Sequence, residues 1–436
     1  MRDSSSMPAS VGVTLRVVRF NNRTPLRSSS RCTALLSEEA GSPFLPAAAR
    51  KPPASTTRAK SFMSERFETS IVLPIVQAVH VEGIIGLAWL AETRAMDSTG
   101  KKMEHRKLGL AGPAVSAIGL GCMGMSDAYG PADRAESIAT IRSALDAGVT
   151  LFDTADFYGS GDNEMLIAEA LRGVARERYQ LSVKFGSLRD ADGGWGPLDG
   201  RPEQVKNFLA YSLRRLGVDH IDIYRIARLD TAVPIEDTVG ALADCVRKGW
   251  IRHIGLSEVG EDTLRRAAAI HPVSDLQIEY SLMSSGIEEG ILPTCRELGI
   301  AITAYGVLSR GLLSGHWRPN GKTDFRAMSP RFQGEDLVAN LALVERLSAL
   351  AVTKGVTASQ LTIAWILAQG KDIVPVVGAR QRERLAQALG SLAVTLSADE
   401  VAAIDRAVPK GAAKGARYPE AMLRRLDSER AKTASA

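Results

Sequence analysis

The feature that most constrains this chain is an alternation: from Leu108 onward, short apolar runs change places with segments of helical period. Eight runs can be counted, at 117–121, 149–153, 180–184, 220–226, 251–257, 275–280, 301–305 and 372–377. Between them lie amphipathic stretches, 135–147 and 202–216 among them, whose apolar residues recur three and four positions apart. Gly148, Gly217 and Gly299 stand where helix C-caps belong, because glycine takes the left-handed conformation that closes a helix. Strands separated by helices pair in parallel, since a parallel pair needs a crossover connection. Eight such units in about 290 residues is the arithmetic of a closed α/β structure, the (β/α)8 TIM barrel. An open doubly wound sheet is the alternative. The barrel is preferred because the chemically interesting residues come from the ends of several runs, and a barrel gathers those ends at one mouth.

The first hundred residues have a different character. Residues 1–69 are rich in Ser, Arg, Pro and Ala without a sustained period, which is the composition of a disordered extension. Residues 70–91 are more apolar, but Pro74, Gln77, His80 and Glu82 interrupt them, so a membrane span is not expected. An organelle transit peptide is matched in composition only, because acidic residues begin at Asp3 and no amphipathic helix follows. The favoured reading is an over-extended reading frame, with the product starting near Met96 or Met103. The expected organisation is therefore an extension over 1–102, a barrel over 103–410 and a tail over 411–436, the tail without definite structure.

Charge excludes one class of partner. Residues 1–102 carry 14 Lys and Arg against 8 Asp and Glu, which leaves about −1 for everything after them out of a formal total of +5. A nearly neutral barrel gives no reason to expect nucleic acid. Cys32, Cys122, Cys245 and Cys295 show neither paired nor metal-type spacing, so free thiols, a reducing compartment and a cytoplasmic location are expected. The six histidines are scattered as well, and no metal site is expected.

The chemistry lies in the second and third runs. The second ends at Asp153, Tyr158 follows five residues later, and the third carries Lys184 in an apolar setting. A phenol titrates near 10, and an adjacent ammonium lowers that value by favouring the phenolate. The expected device is thus a tyrosine acid tuned by Lys184, with Asp153 holding the lysine.

At this point several motifs in register resemble the aldo-keto reductase family. They are Ile-Gly-Leu-Gly at 118–121, Asp-Thr-Ala-Asp-Phe-Tyr-Gly at 153–159 and Val-Lys-Phe-Gly at 183–186, followed by Ile-Gly-Leu-Ser-Glu at 254–258, Gln-Ile-Glu-Tyr-Ser at 277–281 and the Gly-rich stretch at 304–315. The resemblance spans residues 104–410. It implies NADPH-dependent reduction of aldehydes or ketones, with Tyr158 as general acid, Lys184 lowering its pKa and Asp153 orienting Lys184. For the cofactor it implies Gly121 and Met123 after the first run, and Ser257 and Gln277 at the nicotinamide carboxamide. Glu258 stands there where the family often has Asn. It further implies Tyr305 stacking on the nicotinamide, Gly306, Leu308, Arg310 and Gly311 near the pyrophosphate, and Gly378, Arg380 and Arg384 around the adenosine 2′-phosphate. Ala388 departs from the family's usual Asn. The implied partner is a small carbonyl substrate, with no nucleic acid and no membrane; a homo-oligomer is compatible with the sequence.

The main departure is in the fourth run, where the family's histidine position falls on Ala227. Three readings stay open there. The protein is a reductase in which water, Arg225 or Arg228 supplies the missing donor, or it reduces a conjugated double bond, or it is a catalytically weak NADPH-binding regulatory or redox-sensing subunit. A Schiff-base aldolase using Lys184 is a more distant alternative. The loops at 188–199, 282–290 and 315–331, with Trp195, Trp317 and Phe325, are expected to shape the substrate pocket.

Overall fold

A computed structural model describes residues 103–126, 128–317 and 324–433. The expectations for residues 1–102, for Cys32 and for the Phe325 side chain fall outside the described residues. Eight parallel strands close into a barrel: β1 (Gly119–Gly121), β2 (Leu151–Ala155), β3 (Gln180–Phe185), β4 (Ile221–Ile226), β5 (Ile251–Ser257), β6 (Val273–Glu279), β7 (Ala301–Tyr305) and β8 (Ile373–Gly378). They run round the wall in chain order, and β8 pairs back onto β1. All eight expected runs are barrel strands, displaced by no more than two residues.

The helices that cover the wall are α1 (Arg134–Asp146), α2 (Asp162–Ala170), α3 (Pro202–Leu216), α4 (Ile235–Arg247), α5 (Glu261–Ile270), α6 (Ile291–Leu298), α7 (Gly334–Lys354), α8 (Ala358–Ala368) and α9 (Arg382–Leu389). The third shows how sequence makes an element here. Pro202 opens it at a position that needs no amide donor, Val205, Leu209, Ser212 and Leu216 form the buried stripe, and Gly217 closes it at φ 68°. α10 (Ala398–Ala407) follows the last barrel helix and starts with a capping box between Ser397 and Glu400.

One end of the barrel is plugged. A hairpin of His105–Lys107 with Ala114–Ser116 places Leu108 and Val115 against Leu151, Ile223, Ala301, Val374 and Val376. Arg106 pins it by donating to the carbonyls of Leu367, Gly370 and Ile373. The barrel interior itself is polar on one side: Arg225, fully buried, donates to Asp275 Oδ2 at 2.7 Å and to Ser182 Oγ at 3.0 Å.

The described residues after Val408, through Thr433, have definite structure, contrary to expectation. They form a strap containing α11 (Glu420–Leu423) and α12 (Asp427–Thr433) that returns to the open end of the barrel. Its anchor is Arg417, which meets two carboxylates at strand ends, Glu258 after β5 and Glu279 at the end of β6. Each of these acids sits buried in the wall and needs a counter-charge, which composition alone does not reveal.

Among the described residues no single helix is long and apolar enough to cross a membrane. Cys122, Cys245 and Cys295 are buried free thiols.

Candidate active site

β2 delivers the motif at the open end. The chain leaves Ala155 and turns sharply through Gly159, Ser160 and Gly161, all at positive φ (54°, 52° and 99°). Ser160 pays about 1–3 kcal/mol for that conformation, a cost that persists where surrounding structure fixes it. The fixing residue is Asn163, fully buried, which accepts from Thr154 Oγ1 at 2.6 Å and donates to the Cys122 carbonyl and Ser126 Oγ. The turn points Tyr158 back over the mouth, where its ring is partly covered by Phe157 in an edge-on contact at 5.1 Å. Asn163 was not singled out in the sequence; a buried amide nine residues after Thr154 leaves no periodic signature.

Asp153 and Lys184 come from adjacent strands. Lys184 Nζ donates to Asp153 Oδ1 at 2.5 Å, while Ser182 Oγ and Gln277 Nε2 both donate to Oδ2 at 2.7 Å. The carboxylate is therefore held by three donors, Lys184 among them. The expected tuning of Tyr158 is corrected, however. Burial, and then Asp153, push the phenol well above its ordinary value of 10. Lys184 Nζ lies 5.2 Å from the ring centroid and makes no hydrogen bond to the hydroxyl. Burial moves Lys184 the other way, below 10.5, against the opposing pull of Asp153. As built, the site keeps Tyr158 protonated, which suits a proton donor.

The second acid of the motif behaves differently from the first. Asp156 is pushed up to about 8, by burial first and by Glu164 second, with Arg215 opposing. Its Oδ1 and the Oε1 of Glu164 are both buried without a hydrogen-bond partner among the described residues. A carboxyl whose value is raised from 3.8 favours folding in its neutral form. That contribution is complete below about pH 4 and is lost as pH rises through about 8, with a steepest slope of about 1.4 kcal/mol per pH unit. Denaturant unfolding between pH 6 and 9 should show the decline, and Asp156→Asn should flatten it; an unaltered slope would place the proton elsewhere.

The mouth opens into a cavity of about 860 Å³. All the residues expected at the site line it: Asp153, Tyr158 and Lys184, together with Gly121, Met123, Ser257, Gln277, Tyr305, Gly306, Leu308, Arg310, Gly311, Gly378, Arg380 and Arg384. Several side chains of that set have protein partners, among them Tyr305, whose hydroxyl donates to Glu258 at 2.6 Å. Gln277 donates to Asp153, and Ser257 Oγ accepts from Arg228 at 3.3 Å. Arg310 is paired with Glu279 at 3.1 Å and stacks over the Tyr418 ring at 4.2 Å. Glu258 is withdrawn from the cavity altogether. It is fully buried, at φ 55°, and accepts from both Nη atoms of Arg417, from Tyr305 and from Ser428. Burial alone would raise its carboxyl; Arg417 and then Arg228 override that and hold it well below the usual carboxylate range.

At the far end, Arg380 donates to the carbonyls of Gly130 and Pro131, and Arg384 to the Gln387 amide oxygen. Both keep neutral partners, whereas Arg382 between them is paired with Glu136. Beside them Gly378 leaves room, since a Cβ there would meet only the Gly121 carbonyl oxygen, at 4.0 Å.

Ala227, at the end of β4, is buried and lines the cavity. Of its two arginine neighbours, Arg225 is locked in the barrel interior and does not reach the cavity, while Arg228 does. Phe157, Trp195 and Leu198 add to the wall, as do the strap residues Tyr418, Met422, Arg425 and Leu426. The strap contribution was not foreseen from sequence. Trp317 also lines the cavity, and no described residue of the 282–290 loop does.

Set beside known proteins, residues 117–409 match the model of the Aldo/keto reductase family. The chain is 43% identical over 325 residues to "Probable aldo-keto reductase 1" of Glycine max, covering 73% of this chain and 93% of that protein. A glycerol dehydrogenase structure from Gluconobacter oxydans superposes with a TM-score of 0.65 at 27% identity, over 72% of this chain and 97% of that one. The holo form of an aldo-keto reductase from Bacillus halodurans gives 0.59 at 26% identity, over 73% and 99%.

Proposed function

Because the chain belongs to the aldo/keto reductase family, an oxidoreductase family acting on carbonyl and alcohol groups, we propose that it reduces aldehydes or ketones to alcohols with NADPH. The observation that carries this reading is the Asp153–Lys184 pair beside Tyr158, all three lining one cavity of about 860 Å³. The residues fit such a cofactor. Tyr305 would stack on the nicotinamide, with Ser257 and Gln277 beside it, and Gly306, Leu308 and Gly311 offer backbone amides near the pyrophosphate. Arg380 and Arg384, whose partners among the described residues are neutral, suit an extra phosphate at the adenosine end. When bound, the cofactor supplies hydride to the carbonyl carbon.

This chain's own part is the proton. Tyr158 donates it to the carbonyl oxygen, which would otherwise carry negative charge, and Lys184 lies close enough to stabilise the phenolate left behind. Asp153 keeps Lys184 charged and positioned. No histidine stands at Ala227, so Tyr158 is the principal donor to the substrate oxygen, and the small side chain leaves room there for a bulky substrate.

The test is NADPH and NADH oxidation side by side over a panel of aldehydes and ketones. Turnover with NADPH is expected. Cofactor binding without turnover on any carbonyl would instead favour a regulatory, redox-sensing subunit. Arg384→Ala should raise KM for NADPH about 10–100-fold, the worth of one hydrogen bond to a charged group, and leave KM for NADH nearly unchanged. Equal effects on both cofactors would overturn the assignment of Arg384 to the extra phosphate.

A further inference from the structure

Arginines buried in this protein are matched with acids. Arg225 has Asp275 at 2.7 Å, Arg310 has Glu279 at 3.1 Å, Arg417 has Glu258 at 2.5 Å, and Arg106 and Arg331 have Glu104 and Glu279 at 3.9 Å. Arg228 breaks the pattern. It is half-buried at the cavity wall, and the partners it has among the described residues are neutral: the Ala227 carbonyl at 2.6 Å and Ser257 Oγ at 3.3 Å, both through Nη1. Burial opposes its charge, and Tyr305, Tyr418 and Glu258 together outweigh that; Glu258, the one acid among them, is already held by Arg417. Removing a cation from water without a matched anion is costly, so an arrangement that leaves one facing a ligand cavity points to an anionic ligand.

Its place in the barrel shows which ligand brings that anion. β4 lies four strands from β8 in either direction, so Arg228 is diametrically across the mouth from Arg380 and Arg384. A dinucleotide with its extra phosphate at β8 presents its nicotinamide, which has no phosphate, toward Ser257 and Gln277. The anion facing Arg228 must then belong to the other reactant. The field agrees. Asp153 is the single carboxylate lining the cavity among the described residues, and it is engaged by Lys184, Ser182 and Gln277. A second cation from the strap, Arg425, lines the same cavity with one carbonyl contact at 3.5 Å. Phe157, Trp195, Leu198 and Met422 supply apolar walls for the rest of the molecule.

We infer that Arg228 receives a carboxylate of the substrate, so that the substrates of this enzyme are carbonyl compounds bearing a carboxylate on an apolar or aromatic frame. A carboxylate is favoured because a guanidinium fork matches its two oxygens, and one unmatched positive charge meets one negative charge. The inference rests on the reductase reading for the word substrate, but not for the binding itself.

The experiment compares 4-carboxybenzaldehyde with benzaldehyde as substrates, in the full-length protein and in Arg228→Gln and Arg228→Lys. The ratio of kcat/KM values is expected to favour the carboxylate by about 10–100-fold, to fall to near one in Arg228→Gln, and to recover in part in Arg228→Lys. A ratio near one in the unaltered protein, or one unmoved by Arg228→Gln, overturns the inference. Calorimetric binding of 4-(hydroxymethyl)benzoate against benzyl alcohol gives a readout free of turnover. Preference for the carboxylate that is lost in Arg228→Gln upholds the inference even if neither aldehyde is reduced, an outcome that would sink the reductase reading alone. Equal binding of the two alcohols overturns it.

Discussion

Tyr158→Phe is expected to lower kcat/KM for carbonyl reduction by about 10²–10⁴-fold, the usual worth of a positioned general acid, while the dissociation constant for NADPH stays close to its original value. The substitution removes one oxygen and leaves the edge-on packing of the ring on Phe157. It also leaves Asp153 with its three donors, none of which is Tyr158. The site is thus deprived of a proton and little else. The pH profile sharpens the test. Burial raises Tyr158 above 10 and lowers Lys184 below 10.5, so the first of the pair to change charge on the alkaline side is Lys184. An alkaline limb in the reduction rate should therefore track the lysine and shift in a Lys184 variant. Turnover of Tyr158→Phe within a few-fold of the unaltered protein would remove Tyr158 from the mechanism.

The second large effect is on stability. Arg417→Met is expected to cost about 3–5 kcal/mol in urea unfolding, the range found when one member of a buried ion pair is taken away. Glu258 would be left fully buried, without its paired guanidinium, and in a left-handed backbone conformation that its bonds to Arg417, Tyr305 and Ser428 now hold. Since Glu258 titrates below its ordinary 4.5 in the fold, its contribution is present above that pH and is lost as pH falls further. Pairing Arg417→Met with Glu258→Gln should recover much of the loss, because the charge that lacked a partner is then gone. A single-variant cost under about 1 kcal/mol, the level of a surface pair, would mean that the strap is not latched as described.

The barrel was legible because each unit repeats the same two periods, and apolar runs of β-branched residues bounded by Gly or charged turns have few other homes. The site at strand ends was legible for a related reason. Asp153, Lys184, Ser257, Gln277 and Tyr305 are polar residues at the end of otherwise apolar runs, a conspicuous place for them. What escaped were contacts between residues far apart in the chain. Arg417 and Glu258 are 159 positions apart, and the basic, alanine-rich stretch around Arg417 has the composition of a solvated tail. A signal was present on the other side: Glu258 and Glu279 close two successive strands, and acids placed there require cations. The direction of the Tyr158 shift was missed because it depends on how much water the folded cavity excludes, a quantity that spacing between residues does not encode.

The strap also bears on how the protein matures. Synthesis proceeds from the N-terminus, so all eight strands emerge before the residue that matches Glu258 and Glu279 has been made. During that interval Glu258 lacks Arg417, whereas Glu279 already has Arg310, and the wall lacks Tyr418, Met422 and Leu426. The barrel thus acquires its ligand-binding shape last, when the strap docks.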